Sequence, residues 1–351
     1  MTLPDPSSPR KEPPRRVSRR GLYIPYAIAV VLVVGWCCAW FWIRAQAEQR
    51  MDAARVQMTA AGYPISWQSR RIDGFPFRLD LHLTGAHIGE PSGWSLDLPR
   101  LEAEADAYDP GHWILAAPDG ATFTRPKDGG VAVQAKVLRA SLSHFGEHPP
   151  RLSVEGEDLI FTAAPGAKPY FITAAKAFNL HLKAGPDDQG AVYVGLDQAK
   201  ANLTGLMARI AQGKPVGITA DAIFSNATEF QGASWPAAVD GWRRAGGRFQ
   251  VRQLTIAAGE AVLDAKSGVL SVSDQGRVSG SLNASLRQAP QALGAMGQAG
   301  KITPDAAQKG ASAAQAAQAA QQGDVAHMTL DFKDGQSWLG PIPIGPAPKV
   351  F

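Results

Sequence analysis

The sequence predicts a mainly β protein, a curved antiparallel sheet or sheets with a few short helices, carried on a single N-terminal transmembrane helix. Three observations lead there. An uncharged run of 21 residues, Tyr23 to Ile43, lies near the N-terminus. From Tyr63 onward apolar and polar residues alternate with period two, which marks strands with one buried and one wet face. Clusters such as Pro118-Asp119-Gly120 and Lys127-Asp128-Gly129-Gly130 separate these segments, with no long helices between them. That is the pattern of antiparallel structure.

As a helix rising about 1.5 Å per residue, the uncharged run spans roughly 31 Å, the thickness of a hydrocarbon core. Tyr23 and Tyr26 at one end and Trp40 and Trp42 at the other suit the two headgroup zones. Arg10, Lys11, Arg15, Arg16, Arg19 and Arg20 precede it, against Asp5 and Glu12. Positive flanks stay cytoplasmic, so the expected topology is single-pass in the inner membrane, N-terminus inside and C-terminal domain periplasmic. The basic, proline-rich tail, residues 1–22, is expected to be disordered. A cleaved signal peptide would use Ala45-Gln46-Ala47, but its apolar core would be too long, and Arg44 with three nearby tryptophans suits a stop. A lipoprotein would need a small residue where Trp36 precedes Cys37. An uncleaved anchor over 23–43 fits better.

Lys and Arg number 35 against 31 Asp and Glu. Residues 1–44 hold seven of the basic and two of the acidic residues, leaving 28 against 29 beyond them. The large domain is therefore neutral, without the basic stripe of a nucleic-acid binder. Both cysteines, Cys37 and Cys38, lie in the anchor, so the domain has no disulfide and no thiolate metal site. About 300 residues bury an adequate core without such staples.

Ala45 to Ala61 holds strong helix formers, with Met51, Ala54, Met58 and Ala61 on one face, and Gly62 and Pro64 stop it. Residues 44–62 thus read as a helical stalk, and the β-rich domain follows over 63–287. Its clearest strand runs from Phe75 to Thr84. Phe75, Phe77, Leu79, Leu81 and Leu83 point one way, Arg78, Asp80, His82 and Thr84 the other. Shorter alternations follow, from Trp94-Leu96-Leu98 through Val192-Val194-Leu196. Ser234 and Pro236 open a short helix over 234–246, with Trp235, Val239 and Trp242 on a shared face. Strands resume at Phe249-Val251 and pass a hairpin turn, Asp274-Gln275-Gly276-Arg277, on the way to Leu286. Residues 288–323 read as an Ala/Gln-rich helical or linker insert with little apolar area to bury. A strand, Ala326-Met328-Leu330-Phe332, and a proline-rich end complete the domain over 324–351.

Catalytic signals are sparse. His144-Phe145-Gly146-Glu147-His148 matches H-x-x-E-H, but Gly146 and Pro149-Pro150 oppose the helix that this zinc chemistry needs. A turn between strands is expected there. Glu102, Glu104 and Asp106 at period two read as a solvated strand face. The sequence contains no nucleophile elbow, Walker loop or dinucleotide glycine fingerprint. The expectation is a protein that is not an enzyme, with no cofactor and no metal.

Gly74-Phe75-Pro76-Phe77-Arg78 soon after the anchor, with the terminal Leu339-Gly340-Pro341-Ile342-Pro343-Ile344-Gly345-Pro346-Ala347-Pro348, resembles the domain of unknown function 2125 family. The resemblance implies a membrane-anchored envelope protein of Gram-negative bacteria and carries no catalytic residues. A fainter similarity, over Gly268 to Leu282, is to AsmA-like envelope proteins, whose curved sheets hold acyl chains. Two functions are expected from these features. One is binding or handling of lipids or other amphiphiles in an apolar groove lined by Phe75, Phe77, Leu79, Leu81 and Leu83. The alternative is a structural or scaffolding envelope protein acting through an unidentified protein partner.

Overall fold

A computed structural model describes residues 20–287 and 325–351, together with Gly294, Gln308 and Ser312. The expected disordered tail up to residue 19 and most of the 288–323 insert lie outside the described residues. The chain is mainly β, and its strands form one antiparallel sheet.

The expected anchor and stalk are one element. Helix α1 (Arg20–Ala60) runs 41 residues without a break, starting slightly before the expected boundary. It ends where Gly62 takes φ +90° and the Tyr63 N–H reaches back to the Met58 carbonyl at 2.8 Å, a glycine-capped C-terminus. Its second half is no free-standing stalk. Trp36, Trp40, Ile43, Ala47 and Met51, spaced at three and four residues, pack on the apolar side of the sheet. The expected Met51-Ala54-Met58-Ala61 stripe is not the docking face, since Ala54 and Met58 stay exposed. The stripe that packs begins inside the apolar run.

Two strands that pair with the next one, β1 (Ile65–Ser66) and β2 (Ser69–Asp73), add polar contacts to the helix. Arg70 grips Asp52 with two N–H···O bonds of 2.9 and 3.0 Å, and Arg55 and Arg70 both lie over the Trp67 ring. The hydrogen bond from Arg70 holds the Asp52 carboxyl below its ordinary 3.8. A lowered folded-state pKa means that the pair's contribution is present at neutral pH and is lost as pH falls through the lowered value. Acidification below 3.8 should therefore loosen α1 from β2, seen as faster amide exchange in residues 48–56. Asp52→Asn should show that faster exchange already at neutral pH and lose the acid-dependent step.

The remaining strands are nearly all joined as successive hairpins. The first are β3 (Arg78–Gly89), β4 (Ser95–Asp106), β5 (Asp109–Ala116), β6 (Ala121–Arg125), β7 (Gly129–Gln134), β8 (Val137–Ser143) and β9 (Arg151–Ala163). Next come β10 (Ile172–Ala184), β11 (Gly190–Ala201), helix α2 (Gly205–Ala211) and β12 (Val216–Phe224). Helix α3 (Trp235–Arg244), β13 (Phe249–Ala258), β14 (Ala261–Val272) and β15 (Val278–Arg287) follow. The chain closes with β16 (Val325–Lys333), β17 (Gln336–Leu339) and β18 (Ile342–Pro346). β5 and β6 both run against β4, and β7 and β8 both against β9, so each pair acts as one long interrupted strand. The result is a meander from β2 to β18, with β1 extending the β2 edge of β3.

Register puts the apolar residues of neighbouring strands on one face: Leu79 opposite Ala105, Leu81 opposite Ala103 and Leu83 opposite Leu101. The strand expected from Phe75 begins only at Arg78. Phe75, Pro76 and Phe77 form the β2–β3 turn. Gly74 explains the break. At its φ of +96° an added Cβ would lie 2.6 Å from the Arg78 carbonyl oxygen, and its own carbonyl accepts the Arg78 N–H at 2.9 Å.

Helix α3 matches its expected start, with the Ser234 hydroxyl accepting from the Ala237 N–H at 3.4 Å. Val239 and Trp242 are buried against Phe224 and Val272. Trp235 departs from their face. It stays half exposed, and its indole N–H donates to the Val350 carbonyl.

Candidate functional site

Among the described residues, the apolar face of the sheet is covered at its β3 end by α1 and left open along the wall that follows. Where it is open it encloses a cavity of about 580 Å³, a volume usual for small-molecule sites. The lining comes from one sheet, β3 through β12, with Ala117 from the β5–β6 turn and Tyr170 from the β9–β10 loop. A single sheet can surround such a space only if that face is concave. Leu96, Leu98, Leu115, Val154, Leu196 and Ile218 represent the wall.

Two strand interruptions lie along this wall. β5 gives way to β6 at Ala117–Gly120 and β7 to β8 at Ala135–Lys136, side by side in the meander. Such breaks bend a sheet and raise its twist. Gly120 is essential to the first of them. At φ +75° an added Cβ would stand 2.3 Å from the Val133 carbonyl oxygen.

The groove is closed at one end and open along one side. Tyr170 from the β9–β10 loop packs between Phe123 and Phe161 at centroid distances of 5.3 and 5.6 Å, and Arg125 lies over its ring. Burial pushes the Tyr170 phenol above its ordinary pKa, with the Arg125 charge opposing in part, so the hydroxyl stays protonated at neutral pH. Toward α1 the wall merges with packed core through Leu101, Leu115 and Leu138, which touch both. Ile88, Leu96 and Ile218 remain 41%, 36% and 36% exposed. These apolar side chains form the mouth. The one charged lining residue, Arg139, has its guanidinium held by Glu155 at 2.6 Å.

None of the five residues expected to line the groove does so. Leu79, Leu81 and Leu83 are on the correct face but lie in the packed cluster with Trp40 and Ile72, beneath α1. Phe75 and Phe77 are off the strand altogether, in the β2–β3 turn. The actual wall belongs to the weaker alternations further along, Leu96-Leu98, Leu138-Ala140 and Val194-Leu196. Period two was the available signal, but it is the same for covered and uncovered stretches of one face.

The other sites of interest are simple. His144 to His148 lies in the β8–β9 turn, with His144 at φ +56°. Glu102 and Glu104 face solvent in ion pairs with Arg100 and Arg78. Among the described residues, no three His, Cys, Asp or Glu side chains gather as metal ligands.

Residues 40–348 match the family described as an uncharacterized protein conserved in bacteria, domain of unknown function 2125. The chain belongs to that family. The match takes in the last turn of the apolar run, the β2–β3 turn, the groove and the proline-rich end, so the family is defined over the whole sheet. No curated protein and no solved structure matches the chain significantly. The family description assigns no activity to its members, and the functional reading of this member rests on its geometry.

Proposed function

We propose that this family member is a non-catalytic, inner-membrane-anchored periplasmic protein that binds lipid or another amphiphile in the groove of its curved sheet. The apolar cavity of about 580 Å³, open at Ile88, Leu96 and Ile218, carries this reading. Three apolar side chains left in water beside a concave apolar wall are what an acyl chain would cover. Removing their surface from water would contribute about 25 cal/mol per Å². The lining supports a binding role rather than a reaction. It contains no carboxylate, histidine, thiol or serine, and its arginine is already paired.

Helix α1 is long and apolar enough to span a membrane, and it leads directly onto the sheet. The arginine-rich tail favours a cytoplasmic N-terminus, which would place the sheet on the periplasmic side. A membrane-tethered groove is suited to amphiphiles, because their apolar part is drawn from a bilayer held close by.

Native mass spectrometry of the full chain, purified in a detergent that forms no stable adduct, tests the proposal. One phospholipid or other acyl-chain ligand per chain, surviving extensive delipidation, is the expected result. A ligand-free chain that also takes up no fluorescent fatty-acid probe would overturn it and favour the scaffolding role.

A further inference from the structure

We infer that the β2–β3 turn, Phe75-Pro76-Phe77, is inserted in the periplasmic leaflet of the bilayer, beside α1. The inference rests on α1 crossing the membrane, as proposed above, but not on the groove holding a ligand. Two tryptophans inside the apolar run of the helix reach sideways to this turn. The Trp36 indole N–H donates to the Pro76 carbonyl at 2.9 Å, and that of Trp40 to the Arg78 carbonyl at 2.8 Å. Phe75 packs edge-on against Trp40 at 5.3 Å and stacks on Phe41 at 5.9 Å, and Phe77 lies 6.2 Å from Trp36.

Depth follows from helix geometry. Trp36 lies seven residues before Ile43, the end of the uncharged run. At 1.5 Å per residue, the turn sits about 10 Å along the helix from that boundary, on the hydrocarbon side. The sheet cannot leave the membrane surface while these bonds hold.

The turn is built for that environment. Phe75 and Phe77 are 51% and 60% exposed although they already touch α1, so large aromatic surface faces outward on both sides of the proline. Backbone polar groups are costly in hydrocarbon unless paired. Here two of the tip's three carbonyls are paired, Pro76 with the Trp36 indole and Phe77 with the Ala107 N–H, and Pro76 has no N–H to satisfy. The Phe75 carbonyl and the N–H groups of Phe75 and Phe77 are the groups left for the headgroup side or for water. A charged collar begins immediately behind the tip. Arg78 pairs with Glu104 at 2.7 Å and Asp80 at 3.2 Å, and Asp73 pairs with Arg71 at 2.6 Å. Charges resist entering hydrocarbon, so the collar sets the depth. Arg78, held by Trp40 three residues before Ile43, lies only about 5 Å inside the end of the run, within reach of the headgroups for its long side chain. The exposed ring of Tyr108, in the adjoining β4–β5 turn, suits the headgroup zone.

The test is site-directed spin labelling of the full chain in phosphatidylethanolamine and phosphatidylglycerol vesicles, in a Cys37→Ala, Cys38→Ala background. Single labels at Phe77→Cys and Phe75→Cys report the tip. Val31→Cys reports the middle of α1, and Lys127→Cys the β6–β7 turn. The expected result is oxygen access with loss of collisions with a water-soluble nickel chelate at 75, 77 and 31, and the reverse at 127. If 31 reads as buried in lipid but 75 and 77 read like 127, the inserted turn is overturned and the anchor stands. Aqueous readings at all four positions would overturn both. Replacing exposed rings keeps the core out of the experiment, and agreement of two labels guards against a local distortion at either.

Discussion

Ile218→Asp is expected to empty the groove while leaving the chain folded. Ile218 stands at the mouth on β12, paired across strands with Leu196 and Ile256, and is 36% exposed. A carboxylate can stay hydrated there in the free protein, so the cost to folding should be about 1–2 kcal/mol, from lost strand propensity and apolar burial, which a domain of this size tolerates. An acyl chain entering the groove would remove that water. The penalty for an unpaired polar group is about 1–3 kcal/mol in proteins, which corresponds to roughly a tenfold to hundredfold loss of affinity. The readouts are retained lipid by native mass spectrometry and displacement of a fluorescent fatty acid. Unchanged lipid retention in the variant would place the ligand outside the groove.

Leu79→Asp should do the opposite, breaking the fold before it touches any ligand. Leu79 has 0% exposure and sits among Trp40, Ile72 and Leu81, where α1 meets the sheet. Deleting a buried leucine side chain costs about 2–5 kcal/mol, and burying a carboxylate adds to that. Nothing near Leu79 in that cluster can pair the new charge. A loss of about 4 kcal/mol lowers the melting temperature of a domain this large by roughly 6–8 °C. Thermal unfolding of the purified chain measures it. Leu79→Met, which conserves volume, should stay within about 1.5 kcal/mol of the native protein. A Leu79→Asp chain that melted normally would mean that α1 does not cover this part of the sheet.

These two substitutions differ only in where they fall on one continuous apolar face. Leu79 and Ile218 both belong to alternating strands, and both point to the same side of the meander. What separates them is α1. Trp36, Trp40 and Met51 cover the β3 end, and among the described residues the groove beside β12 is lined by strands and loops alone. The helix reaches the sheet through contacts spaced about 40 residues apart in the chain, such as Trp40 to Arg78. No window of local sequence contains both partners. The sequence therefore marks Leu79, Leu81 and Leu83 as inward-facing, correctly, without showing that their side of the sheet is already occupied.

The Phe75–Phe77 segment failed for a different reason. Its alternation continues that of β3 without a seam, and Pro76 alone does not forbid a strand start. Gly74 decides it, because its φ of +96° and the close Arg78 carbonyl turn the chain there. The same glycine was visible in the sequence, but its conformation depends on the pairing of β2 with β3.

The sequence by itself determined the long apolar helix, the mainly antiparallel β architecture, the side to which each strand residue points and the capped start of α3. Each of these follows from residues within one or two turns or strands of one another, where periodicity and capping chemistry act locally. Only the tertiary structure decided that the helix docks on the sheet, where its strands are interrupted, and which part of the apolar face is left open as a groove. Those outcomes depend on pairing and packing between residues far apart in the chain.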